Sequence, residues 1–302
     1  MALADLLTAS VAPSTGERPR DQELDLFGLT HRGKVRKENQ DHFLLATVHH
    51  QIAVHGTSLP EPDRLPLRGE RLATIMLVAD GVGGSAAGGA ASQLAAETVT
   101  RYVSSTMRCY HTAGSADEQQ FFAALRAAAL EAHAAVRGEA EVRAAHNPAH
   151  SMATTLTLGI AVWPWAYVVQ VGDSRFYYYW DGELRQVTKD QTVAQELVDS
   201  GVLKPERAAA SPFNRMLASA IGGDEASPVV TRLDIRQRGC VLLLCSDGLT
   251  AHLSNTDIAD RLRAMESSEQ LCHSLLDLAL ERGGTDNITV VAGRARGERA
   301  SA

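Results

Sequence analysis

Residues 154–187 read TTLTLGIAVWPWAYVVQVGDSRFYYYWDGELRQV, and the punctuation of this stretch decides what kind of sheet the chain builds. Residues 154–162, 166–171, 175–180 and 183–187 are strand-like runs rich in β-branched and aromatic side chains. The links between them are very short; Trp163-Pro164 and Asp181-Gly182 are turns, the second a strong hairpin signal. Parallel strands need a crossover of roughly a dozen residues or more, so such links predict an antiparallel meander and exclude a purely doubly wound fold.

Working outward, residues 72–79 (LATIMLVA) form another short strand, ended by Asp80-Gly81 and followed by an Ala-rich, helix-compatible stretch over 85–107. Residues 117–143 predict a second long helix, opened by acidic residues that suit its N-terminus, with Gly138 as a candidate break. Short helices are expected over 192–200, over 255–264 with Asn255 as its cap, and over 269–282; a last strand covers 288–293.

A length of 302 residues suggests two domains at roughly 150 residues each, yet no repeat or composition break separates two halves. We therefore expect a mobile lead-in over 1–24, one catalytic domain over 25–296 and a polar tail over 297–302. Pro60, Pro62 and Pro66 mark 49–70 as a long surface loop. Charged residues at 22% and hydrophobic ones at 45% exclude wholesale disorder, collagen and coiled coil. Lys plus Arg total 29 against 36 for Asp plus Glu, net −7, which argues against a nucleic-acid partner held by bulk charge. Cys109, Cys240, Cys245 and Cys272 show no C-x-x-C pairing and read as buried thiols. No run approaches the roughly 18 apolar residues of a membrane helix, and residues 1–11 lack a basic leader, so the expectation is a soluble, cytoplasmic chain without a membrane partner.

The chemistry lies in where the aspartates fall. Three apolar strands end alike, in IMLVAD-G at Asp80, VVQVGD-S at Asp173 and LLLCSD-G at Asp247, while Asp286 opens the final strand. Aspartate is depleted inside strands; at the last pleat, followed by a small residue, it sets a carboxylate on the rim of a sheet. Several carboxylates without basic residues in the same motifs repel one another, and a divalent cation is the usual remedy. Carboxylate, carbonyl and water ligands favour magnesium or manganese over zinc or copper. Any single Asp-Gly at a strand end is better read as a turn; four shift the balance, and convergence in space decides between the readings. A rival motif overlaps them: residues 81–86 satisfy G-x-G-x-x-[GA] between strand and helix, the dinucleotide fingerprint. Asp80 beside a pyrophosphate, and no strand ending in an acidic residue about 20 residues on, count against it.

Taken together, the motifs resemble the bacterial kind of metal-dependent type 2C (PPM) protein serine/threonine phosphatases. The resemblance spans 27–293 and rests on six pieces in family order: Gly33-Lys34-Val35-Arg36 with Asn39-Gln40-Asp41, Ala79-Asp80-Gly81-Val82-Gly83-Gly84, Ser151-Met152-Ala153-Thr154-Thr155, Gly172-Asp173-Ser174-Arg175, Ser246-Asp247-Gly248-Leu249-Thr250 and Gly284-Thr285-Asp286-Asn287. It implies an α+β fold, a four-layer αββα sandwich of two antiparallel sheets packed face to face with helices outside. It further implies two divalent cations, Mn2+ or Mg2+: Asp80 would bridge them, Gly81 would offer its backbone carbonyl to the second, Asp247 and Asp286 would hold the first, and Asp41 would act through water. Arg36 would bind the substrate phosphate, a task suited to a forked guanidinium; without the resemblance it reads equally as a surface charge beside Arg32, Lys34 and Lys37. Asp173, with Asp247, matches a third-metal position.

This chain departs from the pattern at four places. Gln40 stands where Glu is frequent, Ala251 where an Asp would serve the third metal, Val82 where some members carry a proton-donating His, and Gln191 replaces a commoner His in residues 188–223, which resemble the mobile flap beside the site. The expected reaction is hydrolysis of phosphoserine and phosphothreonine by a metal-activated water, without a phosphoenzyme, opposing a bacterial Ser/Thr kinase. No G-x-S-x-G or phosphate-loop cysteine motif supports nucleophilic catalysis. The 11 histidines are scattered; His49, His50 and His55 read as solvated, and His31 as structural. A non-catalytic, phosphoprotein-binding regulator is the alternative class, disfavoured because Asp80, Asp247 and Asp286 are all present.

Overall fold

Side chains alternate along β3 (Arg68–Ala79) and divide it between two cores. Ile75 and Leu77 join one buried cluster while Met76 and Val78 join another, the period-two pattern of a strand covered on both faces. The computed structural model describes residues 17–51, 68–82, 86–113, 118–144, 152–208 and 210–296. Among them β3 is an inner strand of an antiparallel sheet ordered β10 (Val229–Asp234), β7 (Trp165–Val171), β6 (Leu156–Val162), β3, β2 (His42–Gln51). A second antiparallel sheet runs β1 (Leu24–His31), β12 (Ile288–Ala295), β11 (Val241–Cys245), β8 (Arg175–Trp180), β9 (Glu183–Gln186).

Helices α1 (Ala86–Ala113) and α2 (Glu118–Ala144) cover the first sheet: Ala91, Ala95, Leu125, Ala129 and Val136 pack with Ile75, Leu158 and Val169. On the other side α6 (Asn255–Arg263) and α7 (Ser268–Glu281) bring Ile258, Leu262, Leu271 and Leu275 onto Leu243 and Val290. Met76, Val168, Phe176, Leu244 and Val291 fill the space between the sheets, so the expected αββα sandwich is what forms. Phe176 is fully buried and owes its seat to Gly159, where a Cβ would come within 2.6 Å of the ring. Truncating such a ring to alanine costs about 3–5 kcal/mol. Cys240, Cys245 and Cys272 are buried free thiols, as anticipated, and no helix among the described residues is long and apolar enough to cross a membrane.

Several expectations need correction. The meander of 154–187 is not one sheet: β6–β7 and β8–β9 are hairpins in different sheets. Gly172, at φ 98°, turns the chain from one sheet to the other, a conformation open to glycine. The Asp181-Gly182 turn does form, with φ 49° and 81°, the doubly positive pattern of a tight hairpin. Helix α2 runs unbroken through Gly138, whose missing side chain has nothing within 4 Å and therefore costs only backbone entropy. Ser254, not Asn255, caps α6, because its hydroxyl accepts from Asp257 N while Asp257 reaches back to Ser254 N in a capping box. Of the lead-in, residues 1–16 lie outside the described part, but Pro19 and Asp21 are tied to the sandwich by Arg71. Of the stretch expected as a loop over 49–70, both ends are strand, since β2 continues to Gln51 and β3 begins at Arg68; residues 52–67 are outside the described part.

Candidate active site

Strand register alone carries five aspartates to one end of the sandwich. His42 pairs with Ala79, so Asp41 at the start of β2 lies beside Asp80 at the end of β3. Cys245 pairs with both Val290 and Arg175, which brings Asp247, Asp286 and Asp173 to the matching end of the second sheet. The sites quoted from sequence therefore share one rim.

Hydroxyls and amides beneath that rim fix each carboxylate. Asp80 is gripped through its backbone: Thr155 N and Thr154 Oγ1 donate to Asp80 O at 2.9 and 2.8 Å, and Asp80 N donates to Thr155 Oγ1 at 3.0 Å. Thr154 and Ala153 form β5 (Ala153–Thr154), which pairs with β4 (Gly81–Val82). Gly81 is obligatory, because a Cβ there would meet Gly88 O at 2.4 Å; its own carbonyl lies beside Gly88 in α1. Asp41 is buried, and Ser246 Oγ and Thr289 Oγ1 both donate to its Oδ2 at 2.7 Å. Asp247 opens the short helix α5 (Asp247–Thr250) behind Ser246. Asp173 is held by its corner: Gly172 N donates to Gln191 Oε1 at 2.8 Å, and Gln191 Nε2 donates to Ser227 O at 3.0 Å. The residue that departs from the family pattern at position 191 thus joins the Asp173 corner to the segment that follows it.

The Asp286 turn is built by the end of α7. Gly284 N bonds Ala279 O and Gly283 N bonds Leu280 O, the paired bonds of a Schellman terminus, with positive φ at both glycines. Asn287, 5% exposed, then spends its side chain on the Arg36-bearing loop: Gln40 N donates to its Oδ1, and its Nδ2 donates to Arg32 O and Glu38 O, each at 2.9 Å. Arg36 itself reaches back, with Nη2 2.6 Å from Asp286 Oδ2, and its side chain is half exposed.

Electrostatically the rim is under-compensated. Burial first, then the charges of Asp41, Asp247 and Asp173, push the Asp80 carboxyl well above the usual carboxylate range. Burial, with Asp247 and Asp190 behind it, pushes Asp173 up to about 8, and burial carries Asp41 to about 6 against the pull of Thr289 and Ser246. Asp247 is raised by burial and by Asp286, while Arg215 and Arg36 act in the opposite sense. Among the described residues no three His, Cys, Asp or Glu side chains close into a ready-made cage around one point; the carboxylates nonetheless feel one another's charge, Asp80 that of Asp41, Asp247 and Asp173, and Asp247 that of Asp286. Like charges so close and so buried need protons or a cation between them. One atom points to the cation: Asp41 Oδ1 is buried and has no hydrogen-bonding partner, an acceptor for which a bound cation would account. The oxygen-only donor set fits a hard divalent ion rather than zinc or copper.

Ser246, Thr289, Thr155, Asn287 and Arg215 are the contributors that pattern reading overlooked. Ser246, Thr155 and Asn287 sit inside the quoted motifs and Thr289 in β12 just beyond one, as polar residues abutting apolar strands, which is the signal that marks them. Residues 83–85 of the dinucleotide-like string, and Ser151, lie outside the described part.

The chain is similar to known proteins over most of its length. The family model described as Protein phosphatase 2C matches residues 56–279. Serine/threonine protein phosphatase PstP of Mycobacterium tuberculosis is 36% identical over 219 residues, 72% of this chain and 40% of that relative's length. The chain thus spans well under half of that curated relative. The crystal structure of PstP/Ppp from the same organism superposes with a TM-score of 0.69 at 30% identity, covering 91% of this chain and 99% of that one. A PstP catalytic domain in complex with 2 manganese ions superposes with a TM-score of 0.65 at 29% identity, over 91% of this chain and 99% of the other.

Proposed function

The chain belongs to the protein phosphatase 2C family, and from that premise we propose that it is a metal-dependent phosphatase hydrolysing phosphoserine and phosphothreonine in proteins. The observation that carries the reading is the rim to which strand register brings Asp41, Asp80, Asp247 and Asp286, beside the half-exposed Arg36. In this proposal Asp80, Asp247, Asp286 and the Gly81 carbonyl hold two divalent cations, Mn2+ or Mg2+, with Asp41 acting through water. Asp173 with Asp247 offers a third position, from which Ala251 withholds a ligand. Bound there, such ions supply Lewis-acid activation of water and neutralise charge on the phosphoryl oxygens.

The chain's own residues supply the rest. Arg36 has guanidinium donors beyond the one engaged by Asp286, and these suit two oxygens of a phosphate monoester. Asp41 is locked through Oδ2, so Oδ1 is presented in a fixed direction to accept a proton from water. Val82 supplies no proton, which leaves the departing alcohol to take one from solvent. The catalytic unit is 25–296 with a flap over 188–223, acting in the cytoplasm against a bacterial Ser/Thr kinase. Intact Asp80, Asp247 and Asp286 argue against a non-catalytic regulator.

The test is hydrolysis of a phosphothreonine peptide with manganese, with chelator, and by Asp247→Asn. The account expects turnover with manganese and near-complete loss in the other two arms. Turnover indifferent to chelator overturns the metal dependence, and no turnover with manganese promotes the regulator.

A further inference from the structure

His252 stands outside the acidic rim yet touches the turn that delivers one of its members. The backbone N–H of Thr285 donates to His252 Nε2 at 3.0 Å, and Thr285 Oγ1 lies 3.0 Å from the same nitrogen. Because an amide can only donate, Nε2 must be the acceptor nitrogen, which assigns the ring proton to Nδ1. The ring rests on bare backbone: a Cβ at Gly283 would come within 3.2 Å of His252 Cε1. The same corner is cross-linked again by Arg282, whose Nη1 donates to His252 O at 3.1 Å and whose guanidinium grips both oxygens of Asp257 at 2.7 Å. Exposed ion pairs contribute little singly, but here they hold the α5–α6 corner in place, so that the imidazole meets the chain one residue before Asp286.

We infer that His252 is a positioning residue: its Nε2 fixes the Thr285–Asp286 turn and so sets the aim of the Asp286 carboxylate. From the far side the same turn is fixed by Asn287 N, which donates to Asp286 Oδ1 at 2.9 Å, and by Arg36 on Oδ2. The consequence for cation binding rests on the proposed metal role of Asp286; the consequence for the turn does not. Partners that orient a metal ligand typically change metal affinity by roughly 10- to 100-fold when lost.

The experiment uses the full chain with His252→Leu and His252→Gln. Glutamine can offer Oε1 where Nε2 stands, whereas leucine offers no acceptor. Calorimetric titration with Mn2+ should show affinity about tenfold weaker in the leucine variant and largely restored in the glutamine variant. Hydrogen exchange of the Thr285 amide, measured without metal, should accelerate in the leucine variant alone. Equal Mn2+ affinity in all three proteins, or equal weakening in both variants, overturns the inference. If the unaltered chain binds no Mn2+, the metal reading fails while the exchange of Thr285 still judges the latch. Nitrogen-15 NMR of the imidazole in the unaltered protein needs no variant: the Nδ1–H tautomer is expected, and an Nε2–H tautomer overturns the assignment.

Discussion

Asn287→Ala is the substitution whose effect can be worked most fully from the structure. The residue is 5% exposed, and its amide makes three hydrogen bonds at 2.9 Å to Gln40 N, Arg32 O and Glu38 O. At about 1 kcal/mol for each net hydrogen bond, and up to about 3 for a buried group left unpaired, the loss is about 3 kcal/mol, tempered where water can reach the loop. The consequence is also directional, because the three partners bracket Arg36. Equilibrium urea unfolding measures the stability, and kcat/KM on a phosphothreonine peptide measures the aim of the loop. Asn287→Asp is the sharper control: it keeps the acceptor for Gln40 N but turns an oxygen on two carbonyls. It should be at least as destabilising as alanine despite its matching shape. A loss below about 1 kcal/mol in both variants, with unchanged kcat/KM, would refute the view that this side chain holds the Arg36 loop.

Three further outcomes follow from the same contacts. Arg36→Ala should leave unfolding stability within about 0.5 kcal/mol, since the Arg36 side chain is half exposed, while kcat/KM falls and Arg36→Lys recovers only part of it; equal activity in the lysine variant would remove the need for a forked donor. Arg282 and Ser254 hold the Asp257 carboxyl below its ordinary value, so its stabilising contribution is present above the unfolded carboxylate pKa of about 3.9 and is lost as pH falls through the lower folded value. Asp257→Asn should therefore lower the Tm at pH 7 and by progressively less as pH falls below about 4, and a difference that grows on acidification would contradict the sign. Burial pushes the Cys240, Cys245 and Cys272 thiols up to about 12, so peptide mapping after alkylation of the native chain at pH 8 should find these three unlabelled until denaturant is added.

What the sequence made legible was governed by periodicity and by turns. The alternation in residues 72–79, the Asp181-Gly182 hairpin and the aspartates at strand ends carried the layers and the rim. Strands β1, β2 and β10 escaped because their sequences are punctuated by polar residues such as Asp25, His49 and Arg232, and sheet edges tolerate that mixture. The crossing at Gly172-Asp173-Ser174 escaped for another reason: a three-residue link looks the same whether it returns the chain to its own sheet or sends it to the facing one. Pairings distant in sequence separate the two: β8 pairs with β11, and Phe176 packs across the sheets against Gly159. The polar frame beneath the rim was invisible to a reading that follows apolar residues, since Ser246, Thr289 and Asn287 act through pairings across 43 to 255 positions of sequence.

Soaking crystals of the chain in manganese and recording anomalous scattering tests the central claim most directly. Two peaks should appear at the rim, shared by Asp80 and reaching Asp247 and Asp286, and both should vanish in Asp80→Asn. Peaks lodged elsewhere on the surface, with no ion at Asp80, Asp247 or Asp286, would contradict the account.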